Sequence, residues 1–206
     1  MGRRSDHTAE ELRELLLAKG HALMAETGFA AFSGRQVARR AGYSVGTIYN
    51  VFGSLDALLA AINTRTFELW ADWLRRALAD GGEDRIASLV RGYFDFALAH
   101  PLLWSAIYEH RLPDGQHLSE DDLARRAELT GIVQQEVAAI LPADTPLDVA
   151  RYARSLIAGV HGHCSYVVTG SFALLDETDP LGSALDRVRE SLAHHGAYNG
   201  ANAPGT

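Results

Sequence analysis

The sequence holds a single cysteine, Cys164, so no disulfide can form within the chain and nothing points to an oxidising compartment. No apolar run approaches the ~18 residues that a bilayer-crossing helix needs. The opening residues, Met-Gly-Arg-Arg-Ser-Asp-His, are polar and lead into an amphipathic segment, which is not the pattern of a secretory signal. A cytoplasmic protein without membrane contact is expected. Strand-like alternation and internal repeats are missing, which leaves helix as the regular element. Also missing are a nucleophile elbow, H-E-x-x-H, a Gly-rich phosphate loop and Cys-x-x-Cys. The acids Asp121-Asp122 and Glu177-Thr178-Asp179 sit beside turns and read as caps or solvated faces. No catalytic residue, cofactor or metal is therefore expected.

Positive charge is scarce overall, and the net charge of −7 looks wrong for a nucleic-acid binder. The imbalance is uneven, however. Residues 1–60 carry seven Lys/Arg against six Asp/Glu, whereas the remaining 146 carry 12 against 20. The acidic part would repel a phosphate backbone, so any DNA contact falls to the first 60 residues.

What is present is abundant helix signal. Hydrophobic residues make up 47% of the 206, enough for one large domain or two small ones. Thr8 with Glu11 forms a capping-box pattern ahead of a stripe through Leu12, Leu15, Leu16, Ala22 and Leu23, which stops at Gly28. Ser33 is placed to cap a short helix through Ala41, ended by Gly42, and Val45–Val51 forms a third helix closed by Gly53. Ser54 caps a long fourth helix reaching Gly81-Gly82. Further helices are predicted at about 84–100, 101–109 (opened by Pro101), Ser119 to Leu141, Pro146 to Gly170 and Pro180 to His195. The segment 110–120 is loop, and the Gly/Ala/Asn-rich residues 196–206 read as a disordered tail. The class is all-α.

Within residues 34–52, Ala38, Gly42 and Ile48 stand where a helix-turn-helix needs a small residue, a turn residue tolerant of positive φ, and an apolar anchor. Phe52, Val37 and Ala41 add packing. The second helix of this pair has no charged residue, and its outer face would present Ser44, Gly46, Thr47, Tyr49 and Asn50. Short polar groups and methyls read bases in the major groove, and Asn can pair both adenine edge positions. Arg35, Arg39 and Arg40, with Arg3 and Arg4 on an arm able to enter the minor groove, supply positive charge. On spacing alone, the competing reading is an uncharged helix packed inside a bundle.

The continuous stretch Ala22–Leu59 resembles the TetR/AcrR family of transcriptional regulators, through Gly28-Phe29, the core "VARRAGYSVGTIY" and the "FGSLDALL" start of the fourth helix. The resemblance implies phosphate contacts at Ser33, Gln36, Thr47, Tyr49 and Ser54, and base-facing positions at Ser44, Val45, Gly46 and Asn50. Many members carry His where this chain has Val51, and a phosphate-binding Lys where it has Leu55. Here the backbone N–H groups of the helix start would have to replace that Lys, with weaker non-specific binding as the consequence. The C-terminal pieces "FALAHPLLWSAIYEHRL" and "AGVHGHCSYVVTG" are similar to the subgroup with a Trp-His-Gly signature, with Val160-His161-Gly162 in its place.

The resemblance implies a DNA-binding domain at 1–54 and an effector and dimer domain at 55–195, whose last two long helices pair two copies. It implies a dimeric regulator, most often a repressor, on a near-palindromic duplex operator, released by a small-molecule effector that is largely apolar. Candidate pocket residues are Trp70, Tyr93, Phe96, Trp104, Tyr108, His161 and Cys164. Taken singly, each aromatic is more readily explained as core. His161 and His163 lie about 200° apart on a helix and cannot share a metal alone. Cys164 falls on the apolar stripe Ala153, Leu156, Ile157, Val160 and Val167 and reads as buried filler. The alternative function is a ligand-binding or protein-interaction module of the same fold that has lost DNA binding, with Val51 and Leu55 as its trace.

Overall fold

The structure, a computed structural model, describes residues 7–197. Arg3, Arg4 and nearly all of the 196–206 tail lie outside the described residues. Among those described, nine α-helices and one 3-10 turn occur: α1 Ala9–Thr27, α2 Gly34–Ala41, α3 Val45–Phe52, α4 Leu55–Asp80, α5 Arg85–Ala99, α6 Pro101–Glu109, α7 Glu120–Ile140, α8 Val149–Val168, the turn Ser171–Leu174, and α9 Pro180–His194. The chain is all-α, as its sequence pattern indicates. No single described helix is long and apolar enough to cross a membrane. Helix α8 starts three residues later than Pro146 because Asp148, not the proline, accepts the Arg151 N–H and caps it.

The chain divides into two compact units, 1–68 with 100–125 and 69–99 with 126–206. In the first, the Thr8–Glu11 capping box starts α1 and Gly28 ends it. Leu16, Leu23 and Met24 of α1, Val37 and Ala38 of α2, Ile48 and Phe52 of α3, and Leu58 and Ile62 of α4 form its core. Burying each large side chain contributes ~2 kcal/mol. Gly20 lets α1 approach α4, since a Cβ there would lie 2.8 Å from Ile62 Cδ1. Gly42 adopts φ +81, the left-handed conformation required by the α2–α3 turn. Helix α6 belongs to this unit, and at its end His110 is buried against Asp56 of α4 (3.3 Å) and the Phe29 ring.

The second unit is built around α5, on which Ile86, Leu89, Val90, Tyr93, Phe94 and Phe96 are all buried. Trp70 of α4 stacks on Phe96 with ring centroids 4.9 Å apart and meets Tyr93 edge-on at 4.7 Å. Cys164 of α8 and Leu192 of α9 are fully buried. Helix α7 differs from these. Only Leu129 and Val137 on it are fully buried.

Candidate nucleic-acid interface and ligand cleft

The α2–α3 pair places most of the sequence-predicted contact residues on an open surface. Ser44, Val45, Gly46, Tyr49 and Asn50 are exposed, with Tyr49 at 52% of its maximum, while Ile48 and Phe52 on the opposite face of α3 are buried. A cleft of about 290 Å³ opens between the start of α2, α3 and the start of α4, lined by Ser33, Arg35, Val45, Tyr49 and Leu55 among others. Gln36 and Thr47 are half-buried.

Helix caps separate the two kinds of helix start in this chain. Thr8, Ser54, Ser119, Asp148 and Asp179 each accept a backbone N–H of their helix's first turn. Ser33 and Ser44 occupy the same N-cap position but make no such bond. The expectation that the Ser33 hydroxyl caps α2 is thus corrected. Forgoing a cap costs ~1 kcal/mol, and α2 and α3, which would face DNA, are the helices whose N-cap serine makes no capping bond. Ser44 Oγ instead lies 3.5 Å from Thr47 Oγ1.

The arginines divide as well. Arg35 and Arg39 are exposed. Arg40 is held by Glu26 of α1 in a two-pronged ion pair of 2.8 and 2.7 Å, so its charge is offset locally. Counting Arg40 with the other two as a source of positive field therefore overstates that field. Leu55 turns into the cleft, its Cδ1 3.0 Å from where a Gly34 Cβ would stand. Its side chain fills the α2–α4 junction and offers nothing to a phosphate. Ser54 accepts the Ala57 N–H, so the first turn of α4 is ordered from within.

The seven residues singled out as pocket candidates fall in different units. Trp104 and Tyr108 of α6 belong to the first, with ring centroids 5.3 Å apart. Trp70, Tyr93, Phe96, His161 and Cys164 belong to the second. There a cleft of about 40 Å³ lies among Ile86, Leu89, Val90 and Tyr93 of α5 and Val133 and Val137 of α7. Leu156, Ile157 and Val160 of α8 and Val188 of α9 complete it. Of the seven candidates only Tyr93 lines this cleft, because Trp70 and Phe96 stack on each other and Cys164 is sealed in α8 packing. Aromatic content drew attention away from the aliphatic lining. The available signal was the i, i+3, i+4, i+7 spacing of Ile86, Leu89, Val90 and Tyr93.

Tyr93 Oη and His161 Nδ1 are joined by a 3.0 Å hydrogen bond. Burial holds the His161 imidazole below the usual histidine range, so it is neutral at pH 7. His163 turns the other way, with Nδ1 3.0 Å from the Gly159 carbonyl. Among the described residues no cluster of three or more His, Cys, Asp or Glu is arranged to hold a metal ion. Burial pushes the Cys164 thiol up to about 12, which removes the thiolate that redox or nucleophilic chemistry needs.

Residues 16–62 match the family model described as bacterial regulatory proteins, tetR family, and residues 86–188 match that of the tetracyclin repressor-like C-terminal domain. No curated protein matches the chain at significance. Among solved structures, a protein of unknown function from Rhodococcus sp. RHA1 is 25% identical with a TM-score of 0.67, covering 96% of this chain and all of its own. RolR in complex with resorcinol is 17% identical with a TM-score of 0.65, covering 92% of this chain and 90% of its own. The multidrug binding protein EbrR complexed with proflavin is 23% identical with a TM-score of 0.59, covering 87% of this chain and 99% of its own. With an exposed, uncharged helix following a glycine turn at one end of the sequence, and two family matches that together take in both units, the chain belongs to the TetR family of bacterial regulatory proteins.

Proposed function

We propose that this regulator acts in the cytoplasm as a homodimeric, ligand-responsive repressor that reads a near-palindromic operator with α3 and leaves it when a small, largely apolar molecule binds the second unit. The observation that carries the reading is the surface of α3. It is solvent-facing and free of charge, and both α2 and α3 begin at a serine whose hydroxyl is not used in capping. On and around it, Ser44 and Asn50 are the base-reading groups, Val45 and Gly46 allow close approach, and Ser33, Arg35, Gln36, Thr47, Tyr49 and Ser54 hold phosphates.

One such helix makes too few contacts for specificity, and two-fold pairing doubles them. Support for pairing through α8 comes from its glycines. Gly159 and Gly162 lie inside the helix with nothing within 4 Å of an added Cβ, so packing within the chain does not require them. A glycine inside a helix costs ~1 kcal/mol relative to alanine. With Ser155 and Ala158 they form an exposed small-residue face on which a second α8 can approach closely. In the turn that follows α8, Leu174 and Leu175 are 85% and 61% exposed, apolar surface that a partner would cover.

The second reading, a module that has lost DNA binding, draws on Leu55 filling the place of a phosphate-binding lysine. Selection from a pool of random duplexes separates the two. Enrichment of a palindromic site, with affinity falling steeply as salt rises, is expected of the repressor. Weak binding without enrichment is the outcome expected of the module, and it would refute the proposed function.

A further inference from the structure

The cleft of the second unit is too small for the ligand that the proposed function requires. At about 40 Å³ it holds little more than a water or two, whereas a benzene-sized guest needs ~150 Å³. For such a guest to sit here a wall has to move, and the four walls are not equivalent. Helix α5 buries ten residues, and α8 and α9 each bury four, whereas α7 buries only Leu129 and Val137. Beyond these two side chains, ion pairs tie α7 to its neighbours in this unit: Arg75 to Glu128 at 2.7 Å, and Arg85 to Glu136 at 2.5 and 2.6 Å. The Arg75–Glu128 pair is exposed on both sides and holds weakly, particularly in salt, whereas Glu136 is the more covered partner of the second pair. Midway along α7 stands Gly131, again with nothing within 4 Å of an added Cβ, so it loosens the helix without serving any close packing. It lies two residues before Val133 and six before Val137, the two side chains that α7 contributes to the cleft.

The lining also limits what can enter. Nine of the ten lining residues are aliphatic, and the tenth, Tyr93, carries the only polar side-chain atom among them. No lining residue is charged, and Glu136, next to Val137, is engaged by Arg85. An ion of either sign would lose its hydration and gain no partner.

We propose that α7 is a movable wall hinged at Gly131, and that the cleft it lines takes an uncharged, mainly hydrocarbon molecule with one hydrogen-bonding group, received by the Tyr93 hydroxyl. This rests on the reading of the second unit as the effector domain and adds the ligand class and the path of entry. Fold likeness leaves the charge open, because the structures named above hold resorcinol in one case and proflavin in another. The lining of this chain decides it.

Calorimetric titration of the full chain, without DNA, tests the proposal with four matched probes: naphthalene, 2-naphthol, 2-naphthoate and naphthalen-2-ylmethylammonium. The two neutral probes are expected to bind, with 2-naphthol tighter and both ions at least tenfold weaker than it. Tyr93→Phe should weaken 2-naphthol about fivefold, one hydrogen bond's worth, and leave naphthalene unchanged. Gly131→Ala, which meets open space, should stiffen α7 and weaken both neutral probes by up to about fivefold. Binding of an ion as tight as 2-naphthol, neutral probes unaffected by Gly131→Ala, or no binding by either neutral probe would each overturn the proposal. None of these outcomes bears on operator selection, so the ligand inference and the repressor reading fail separately.

Discussion

His21 of α1 is half-buried beside α4, its Nε2 3.3 Å from Thr66 Oγ1. Desolvation first, then the nearby charges of Arg65 and His100, lower its pKa to about 4. In the unfolded chain a histidine takes up its proton near ~6.5. Between those two values the unfolded state binds more protons, so stability is complete above the higher one and falls as pH drops towards the lower. The loss is on the order of 2 kcal/mol once solvent screening is allowed for. Denaturant unfolding at a series of pH values should show this slope, and His21→Gln should flatten it. An unchanged slope in the variant would assign the acid sensitivity to other groups. The capping serines carry the complementary lesson at this scale. Position alone marked Ser33 as a cap, but whether a hydroxyl turns inward to its own helix or outward is a rotamer choice that sequence does not record.

Among the elements, the turn after α1 and the start of α4 carry the most consequence. Gly28 has φ +70, and an added Cβ would meet Leu102 Cδ2 of α6 at 3.1 Å. Gly42 has φ +81 with open space around it. Gly42→Ala should therefore cost the backbone strain alone, ~1 kcal/mol, and Gly28→Ala should cost more. Equal losses in melting temperature would show that α6 yields freely at Leu102. At α4, Leu55→Lys should restore a phosphate contact and steepen the salt dependence of DNA binding by about one per half-site. No change in slope would mean that backbone N–H groups already fill that role. Helix limits were legible because their signals are local: a capping box at Thr8, glycines at 28, 42 and 53, and Pro101 opening α6. The α3 surface was legible for the same reason, since one short segment supplies it. The cleft was not. It depends on Val133 and Val137 meeting α5 and α8 across long sequence distances, and no short-range pattern encodes that meeting.

At the scale of the whole molecule, the division of charge matches the proposed division of labour, with the acidic surplus in the residues that would not approach DNA. Dimerisation through α8 makes a prediction of its own. At Gly159 an added Cβ meets open space within one chain, so Gly159→Arg should leave the circular dichroism spectrum intact while converting a dimer to a monomer in sedimentation. A dimer that persists would move the interface elsewhere. The central claim is that α3 reads DNA. Its most direct test is an anisotropy titration of the wild type and Asn50→Ala against the enriched duplex and a scrambled one, at two salt concentrations. The expected result is that Asn50→Ala loses ~1–3 kcal/mol per half-site on the enriched duplex and keeps its affinity for the scrambled one, with the salt dependence unaltered. Equal affinity of both proteins for the enriched duplex would contradict the claim.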